Sequence, residues 1–168
     1  MRNIVTLNDL MLYYLQSLLD AELRWSEALQ EFKAKASSDE LKEYLSRSAD
    51  ICRNHLRILA EILEDLKEHH SFEKAIIIKG MIDEMSNILK YTADPEVRDA
   101  AIIVFHQCIT HFKIAQYGSV NAFANLLGFE KTSENLHHLL EEEKQGDSML
   151  SLLAETKINR EAKSPLLK

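Results

Sequence analysis

Glu31-Phe32-Lys33-Ala34-Lys35-Ala36-Ser37-Ser38-Asp39-Glu40-Leu41 is a break between two helical patterns. Before it, apolar residues recur at Trp25, Leu29 and Phe32. After it they recur at Leu41, Leu45 and Cys52, all at the three-to-four-residue spacing of one helix face. Ser37 and Glu40 have the form of a capping box, in which a hydroxyl and a carboxylate satisfy the orphan amides of a new helix. So few residues cannot carry the chain back along a helix, so the two segments form an antiparallel hairpin. Similar punctuation divides the rest of the chain. Thr6 and Asp9 open the first segment, with Val5 and Leu10 as staple partners. Asp94-Pro95-Glu96 supplies a cap, a preset φ and a favourable acid for the fourth, which Gly128 ends. Ser71 opens the third after His69-His70, and Thr132 or Ser133 the fifth. The expected helices are 7–35, 39–69, 72–91, 95–127 and 133–160.

Four of these rods come to roughly 42–50 Å and the third to about 30 Å. The fourth and fifth are again joined by only a few residues, whereas the second and fourth are separated by a long connection with its own helix. The expected fold is therefore all-α: a ferritin-like four-helix bundle of two antiparallel hairpins, with a long crossover containing a fifth helix. A five-helix up-and-down array is the competing arrangement. The 168 residues suit a single domain, with 162–168 as a frayed tail.

Composition narrows the function. Four glycines and two prolines leave little material for hairpin turns or phosphate loops, and no nucleophile elbow, zinc-helix motif or P-loop occurs. A net charge of −7 argues against nucleic acid and anionic membrane surfaces as partners. Cys52 and Cys108 lie inside helical patterns and read as free core thiols, which fits a reducing cytoplasm, the expected location. The start shows no secretory pattern, and Asp20, Glu22 and Arg24 interrupt the longest apolar stretch.

Three acids fall on inward faces. The first segment runs its apolar stripe through Leu7, Met11, Tyr14, Leu18, Trp25, Leu29 and Phe32, and Glu22 lies within it. The fifth runs through Leu136, Leu139, Leu140, Leu150 and Leu153, with Glu143 and Asp147 in its middle. An unpaired buried charge is prohibitive, so the acids imply a compensating cation, either a metal or a side chain. The bland alternatives are that Glu22 leans to the edge of its stripe and that Glu143 belongs to the solvated run 141–144. The second segment offers no inward acid and carries Ser48 and His55 at the margin of its stripe. His69-His70 and His137-His138 are tandem pairs that read as surface or helix-end residues. The fourth segment is apolar nearly all round. One face carries Ala101, Val104, Cys108, Phe112 and Ala115, and the other Ile103, His106, Thr110, Ile114 and Tyr117. Such a helix is buried on more than one side, by the third helix or by a second subunit, and a homodimer is expected.

From Leu7 to about Glu155 the chain resembles the YciF-like family of bacterial ferritin-like proteins. The likeness is most specific at Val97-Arg98-Asp99-Ala100-Ala101, His111, Ile114-Ala115, Tyr117-Gly118, Ala124, Leu127-Gly128, and Leu140-Glu141-Glu142-Glu143-Lys144 with Asp147. The resemblance implies a ferritin- or rubrerythrin-like bundle, commonly dimeric, linked to stress responses and without an established reaction. It also implies acids of a two-metal centre at Glu22, Glu143 and Asp147, and a position often held by His or Gln at His55. Where the family usually reads Glu-His-Tyr-Glu, this chain has Thr110-His111-Phe112-Lys113. Where relatives carry His and Glu, it has Ser48 and Ile51. The expectation is a non-enzymatic protein with a degenerate metal centre and no cofactor, its core a polar cluster of Glu22, Lys113, Glu143 and Asp147. The alternative is an oxidoreductase handling iron or peroxide, with iron or another divalent metal on some of Glu22, His55, His111, Glu143 and Asp147.

Overall fold

The computed structural model describes residues 3–68 and 76–163. The chain forms α1 (Leu7–Lys35), α2 (Asp39–Asp65), α3 (Ile76–Ile88), α4 (Pro95–Leu126) and α5 (Glu130–Leu153). One π-helical turn (Ala154–Ile158) and the short α6 (Asn159–Ala162) follow. Among the described residues there is no strand.

Local chemistry sets the helix ends. The Thr6 hydroxyl accepts from the Asp9 amide at 3.1 Å, and the Asp9 carboxylate accepts from the Thr6 amide at 2.9 Å, so the first box forms. Its staple does not, because Val5 stays 82% exposed. The cap of α2 is Ser38, one residue later than the sequence suggests. Ser37 is drawn away by Asp99 on α4, whose carboxylate accepts from the Ser37 and Ser38 amides at 2.8 and 2.7 Å and from the Ser37 hydroxyl at 2.6 Å. Asp94 caps α4 through the Glu96 and Val97 amides, with Pro95 at its first position.

Several boundaries differ from the sequence reading: α4 ends at Leu126 instead of 127, and α5 ends at Leu153 instead of 160, its rod continuing through the π-helical turn and α6. α2 stops at Asp65 because Lys67 adopts a left-handed φ of 58°, and the His69-His70 end and Ser71 cap fall outside the described residues. α3 ends at Ile88, short of 91. α5 starts at Glu130, because Gly128 makes its turn at φ 79° and the chain re-enters helix at once. The Ser133 hydroxyl donates instead to Asn121 Oδ1 at 2.7 Å.

Side-chain pairs fix the helix directions. Ser37 meets Asp99 and Glu22 meets Lys113, so α1 and α4 run antiparallel. Glu40 meets Lys157, His55 meets Glu142 and Asp65 meets Lys131, so α2 and the α5 rod also run antiparallel. With α1–α2 and α4–α5 as hairpins, α2 and α4 must be parallel. The end of α2 and the start of α4 therefore lie at opposite ends of the bundle, roughly 40 Å apart for a helix the length of α2, with α3 between them in the chain. The two-hairpin arrangement with its helical crossover is thus formed, and the up-and-down array is excluded.

The core has two apolar halves. One gathers Trp25, Phe32, Leu41, Leu45, Ile102 and Leu150, joined by Ile78 and Met85 of α3. The other gathers Met11, Leu18, Leu59, Tyr117, Val120 and Leu139. α4 turns the Ile103, His106, Thr110 and Tyr117 face inward. Val104 is 57% exposed and Cys108 lies on the surface, so only Cys52 is the buried thiol that both cysteines were expected to be. No described helix is long and apolar enough to cross a membrane.

Candidate functional site

Between the apolar halves lies a layer of buried ions, one or two from each long helix. Position 22 is part of the inward stripe of α1, and Glu22 is fully buried. Cys52 and His55, three residues apart on α2, present neighbouring positions of one face, and both are buried. Lys113 on α4 is 2% exposed and Glu143 on α5 is 6% exposed.

The Lys113 ammonium is the hub. Its Nζ donates to Glu143 Oε1 at 2.6 Å and to Glu22 Oε2 and Oε1 at 3.1 and 3.2 Å, and it lies 3.9 Å from Cys52 Sγ. Glu22 Oε1 also accepts from the Tyr117 hydroxyl at 2.7 Å and from His55 Nδ1 at 3.1 Å. The other ring nitrogen, His55 Nε2, meets Glu142 Oε2 at 3.1 Å. Both nitrogens of His55 face carboxylate oxygens, which only accept, so the imidazolium is the state that satisfies them.

Electrostatics agrees with that geometry. Burial works against charge on Glu22, but Lys113, His55 and the Tyr117 hydroxyl outweigh it and hold the carboxyl well below the usual range. Burial likewise disfavours charge on His55, yet Glu22 and Glu143 push its pKa up to about 10. Lys113 is raised above the ordinary lysine value against its burial, with Glu143 and Glu22 among the groups that raise it. Burial first, then Glu22, raises the Tyr117 phenol, and burial raises the Cys52 thiol, so both stay protonated. The two buried carboxylates, Glu22 and Glu143, thus face one ammonium and one imidazolium, and the fully buried groups are neutral among themselves. Glu142 connects it to the surface, where His138 Nδ1 lies 3.3 Å from Glu142 Oε2.

A family model described as "Domain of unknown function (DUF892)" matches residues 6–163. The chain belongs to this family. The DUF892 chain is 28% identical over 165 residues to Protein YciF of Escherichia coli strain K12, covering 96% of this chain and 98% of that one. The crystal structure of the E. coli stress protein YciF covers 94% of this chain and 100% of its own, with a TM-score of 0.89 at 27% identity. YcfI from Rhodopseudomonas palustris gives a TM-score of 0.86 at 29% identity over 89% of this chain and 96% of its own.

Of the residues singled out in the sequence, this DUF892 chain brings Glu22, Lys113, Glu143 and His55 together. Asp147 lies apart from them. Four residues beyond Glu143, it is turned about 40° round the helix, and it sits at the bundle margin with His111 Nε2 at 3.3 Å and Gln107 Nε2 at 3.4 Å. His111 itself is 63% exposed. Two metal ions do not fit what remains. Each wants several hard donors, and the described residues offer one group, a single atom each from Glu22, His55 and Glu143 within 4.8 Å of one another. Lys113 Nζ already binds the two carboxylates of that group.

The sequence reading missed the central place of His55, set at the margin of its stripe, and the part played by Tyr117. A signal for Tyr117 existed. It lies four residues from Lys113 on the face that also carries His106 and Thr110.

Proposed function

We propose that this chain is a non-enzymatic, ferritin-like helical protein of the cytoplasm, related to stress responses, in which a lysine has taken over the charge of a lost two-metal centre. The carrying observation is Lys113 Nζ within 3.2 Å of both Glu22 and Glu143 while almost wholly removed from solvent. A tethered ammonium at full occupancy neutralises the acids without the dehydration cost of a divalent ion. The stress association rests on the similarity to E. coli YciF, a stress protein. Aerobic addition of ferrous iron to metal-free protein tests the reading. Oxygen uptake should match the protein-free control, and bound iron after desalting should stay below about a tenth of an equivalent. Stoichiometric uptake with accelerated oxygen consumption would favour the second reading, a metal-dependent oxidoreductase, which the convergence of Glu22, His55 and Glu143 supports.

The functional unit we propose is a homodimer. Val104 and Leu152 leave 57% and 62% of their surface exposed on the α4–α5 hairpin, whose helices Gln107 and Ser151 tie together at 2.9 Å. Exposed Cys108 lies one turn beyond Val104. Light scattering at micromolar concentration should give twice the 19.3 kDa chain mass. Cys108 should label with a thiol reagent faster as dilution dissociates the pair, while Cys52 should label only on unfolding. A monomer mass together with concentration-independent labelling would contradict the dimer.

A further inference from the structure

Beside the ion layer, on its Trp25 side, is a cavity with about 20 Å³ of room for a water-sized molecule. That is room for at least one water. Its lining includes the buried Trp25, His106, Thr110 and Lys113 together with the part-exposed Ile51 of α2 and Glu142 of α5. Two nitrogens carried by residues of that wall, Trp25 Nε1 and His106 Nε2, are buried and have no hydrogen-bond partner among the described residues. The residues are 1% and 4% exposed. Native proteins rarely leave such groups unsatisfied, because each forfeits the hydrogen bonds it makes to water in the unfolded chain. The two rings stand edge to face with their centroids 5.2 Å apart.

The wall chemistry restricts what that molecule is. Trp25 Nε1–H only donates, so it requires an acceptor such as oxygen. His106 Nδ1 meets the Thr110 hydroxyl at 3.2 Å, which leaves Nε2 to donate or accept according to tautomer, and a hydroxyl group matches either. Charge is disfavoured in both signs. Lys113 already faces Glu22 and Glu143, so an anion finds no free positive charge, while a cation would crowd the Lys113 ammonium. The small volume restricts the occupant to a small molecule. We propose that this cavity is a binding site for one small, neutral, hydroxyl-bearing molecule, held by Trp25 Nε1 and His106 Nε2, with water as its smallest occupant. The inference rests on the cavity and the two nitrogens, and does not depend on whether a metal can displace Lys113.

Trp25 is the only tryptophan in the chain, so its indole N–H resonance reports on this site alone. In nitrogen-15-labelled protein the expected result is a cross-relaxation peak from that proton to a long-lived water. Methanol should remove this peak and shift the indole resonance saturably, whereas the similar-sized methylammonium ion and fluoride should leave both unchanged. His106→Phe keeps a ring of similar size against Trp25 and loses Nε2, so the methanol shift should disappear in that variant. If the variant does not fold, the parent protein with water, methanol and the two ions remains a complete test. Absence of the water peak, a methanol shift that does not saturate, an equal shift in folded His106→Phe, or an equal response to either ion would overturn the proposal.

Discussion

Lys113→Met should lower the stability of the protein at pH 7 by about 3–5 kcal/mol, the usual cost of breaking a buried ion pair by removing one partner. For a chain of this size that is a fall of roughly 6–20 °C in Tm. The cause is a net charge left in the ion layer, because Glu22 and Glu143 would then face His55 alone. In the parent, burial works to raise the pKa of Glu22 and Lys113 is the strongest of the groups that lower it. Without the lysine, burial prevails, and the folded protein binds a proton more readily than the unfolded chain does. Stability of the variant should therefore rise as pH falls from 7 towards 5, narrowing its gap from the parent. Adding Glu22→Gln to Lys113→Met should restore much of the loss even at pH 7, since Glu143 and His55 then balance. Denaturant melts of the parent, both single variants and the double variant give this coupling energy directly. Equal stability of parent and Lys113→Met at pH 7 would sink the ion-pair account.

The parent protein should lose stability on the alkaline side well before its surface lysines titrate. His55 has its pKa raised from 6.5 to about 10 by the acids beside it, against the effect of burial. A raised folded pKa contributes stability that is complete below about 6.5 and is lost as pH climbs through 10, with a slope of at most about 1.4 kcal/mol per pH unit. Glu22 has the opposite sign. Its folded pKa is depressed, so its contribution is complete above the ordinary 4.5 and is lost as pH falls below it. The two together predict a stability plateau between about pH 5 and 6.5 with a decline on either side. His55→Gln should be less stable than the parent at pH 6 and should have a flatter profile between pH 7 and 9.5. A parent profile that is level from pH 6.5 to 9.5 would contradict the assignment of an imidazolium to His55.

Most of the architecture was legible because caps and apolar periodicity act within a few residues. Thr6 with Asp9, and Asp94 with Pro95, marked their helix starts correctly, and the short 36–38 break against the long second connection gave the two hairpins. Errors came where a distant residue intervenes. The Ser37 box was displaced by Asp99, which is far away in sequence and touches it only in the folded bundle. The left-handed turn at Lys67 has no composition signal comparable to that of Gly128. The acids of the ion layer were visible as charges interrupting apolar stripes at Glu22 and Glu143. His55 was harder to place, because a histidine at a stripe margin reads equally as edge or core, and only the acids of α1 and α5 reveal its role. Asp147 reads as inward beside Glu143 because only about 40° of rotation separates the two, less than the periodicity of α5 distinguishes. Helix α4 was ambiguous because it is apolar on several faces. The exposed surfaces of Val104 and Cys108 settle which face is outward.

The central claim is that Lys113 is the resident counter-ion of Glu22 and Glu143, and the charge on its side-chain nitrogen tests this most directly. In protein labelled with nitrogen-15 at lysine Nζ, exposed ammonium groups exchange too quickly to be observed readily and titrate near 10.5. Lys113 should instead give a slowly exchanging ammonium signal that persists above that value, because its pKa is raised above the ordinary lysine value against its burial, with Glu143 and Glu22 among the groups that raise it. The signal should be absent in Lys113→Met and should shift in Glu22→Gln. A Lys113 nitrogen that exchanges freely, or that loses its proton at or below pH 10.5, would contradict the account.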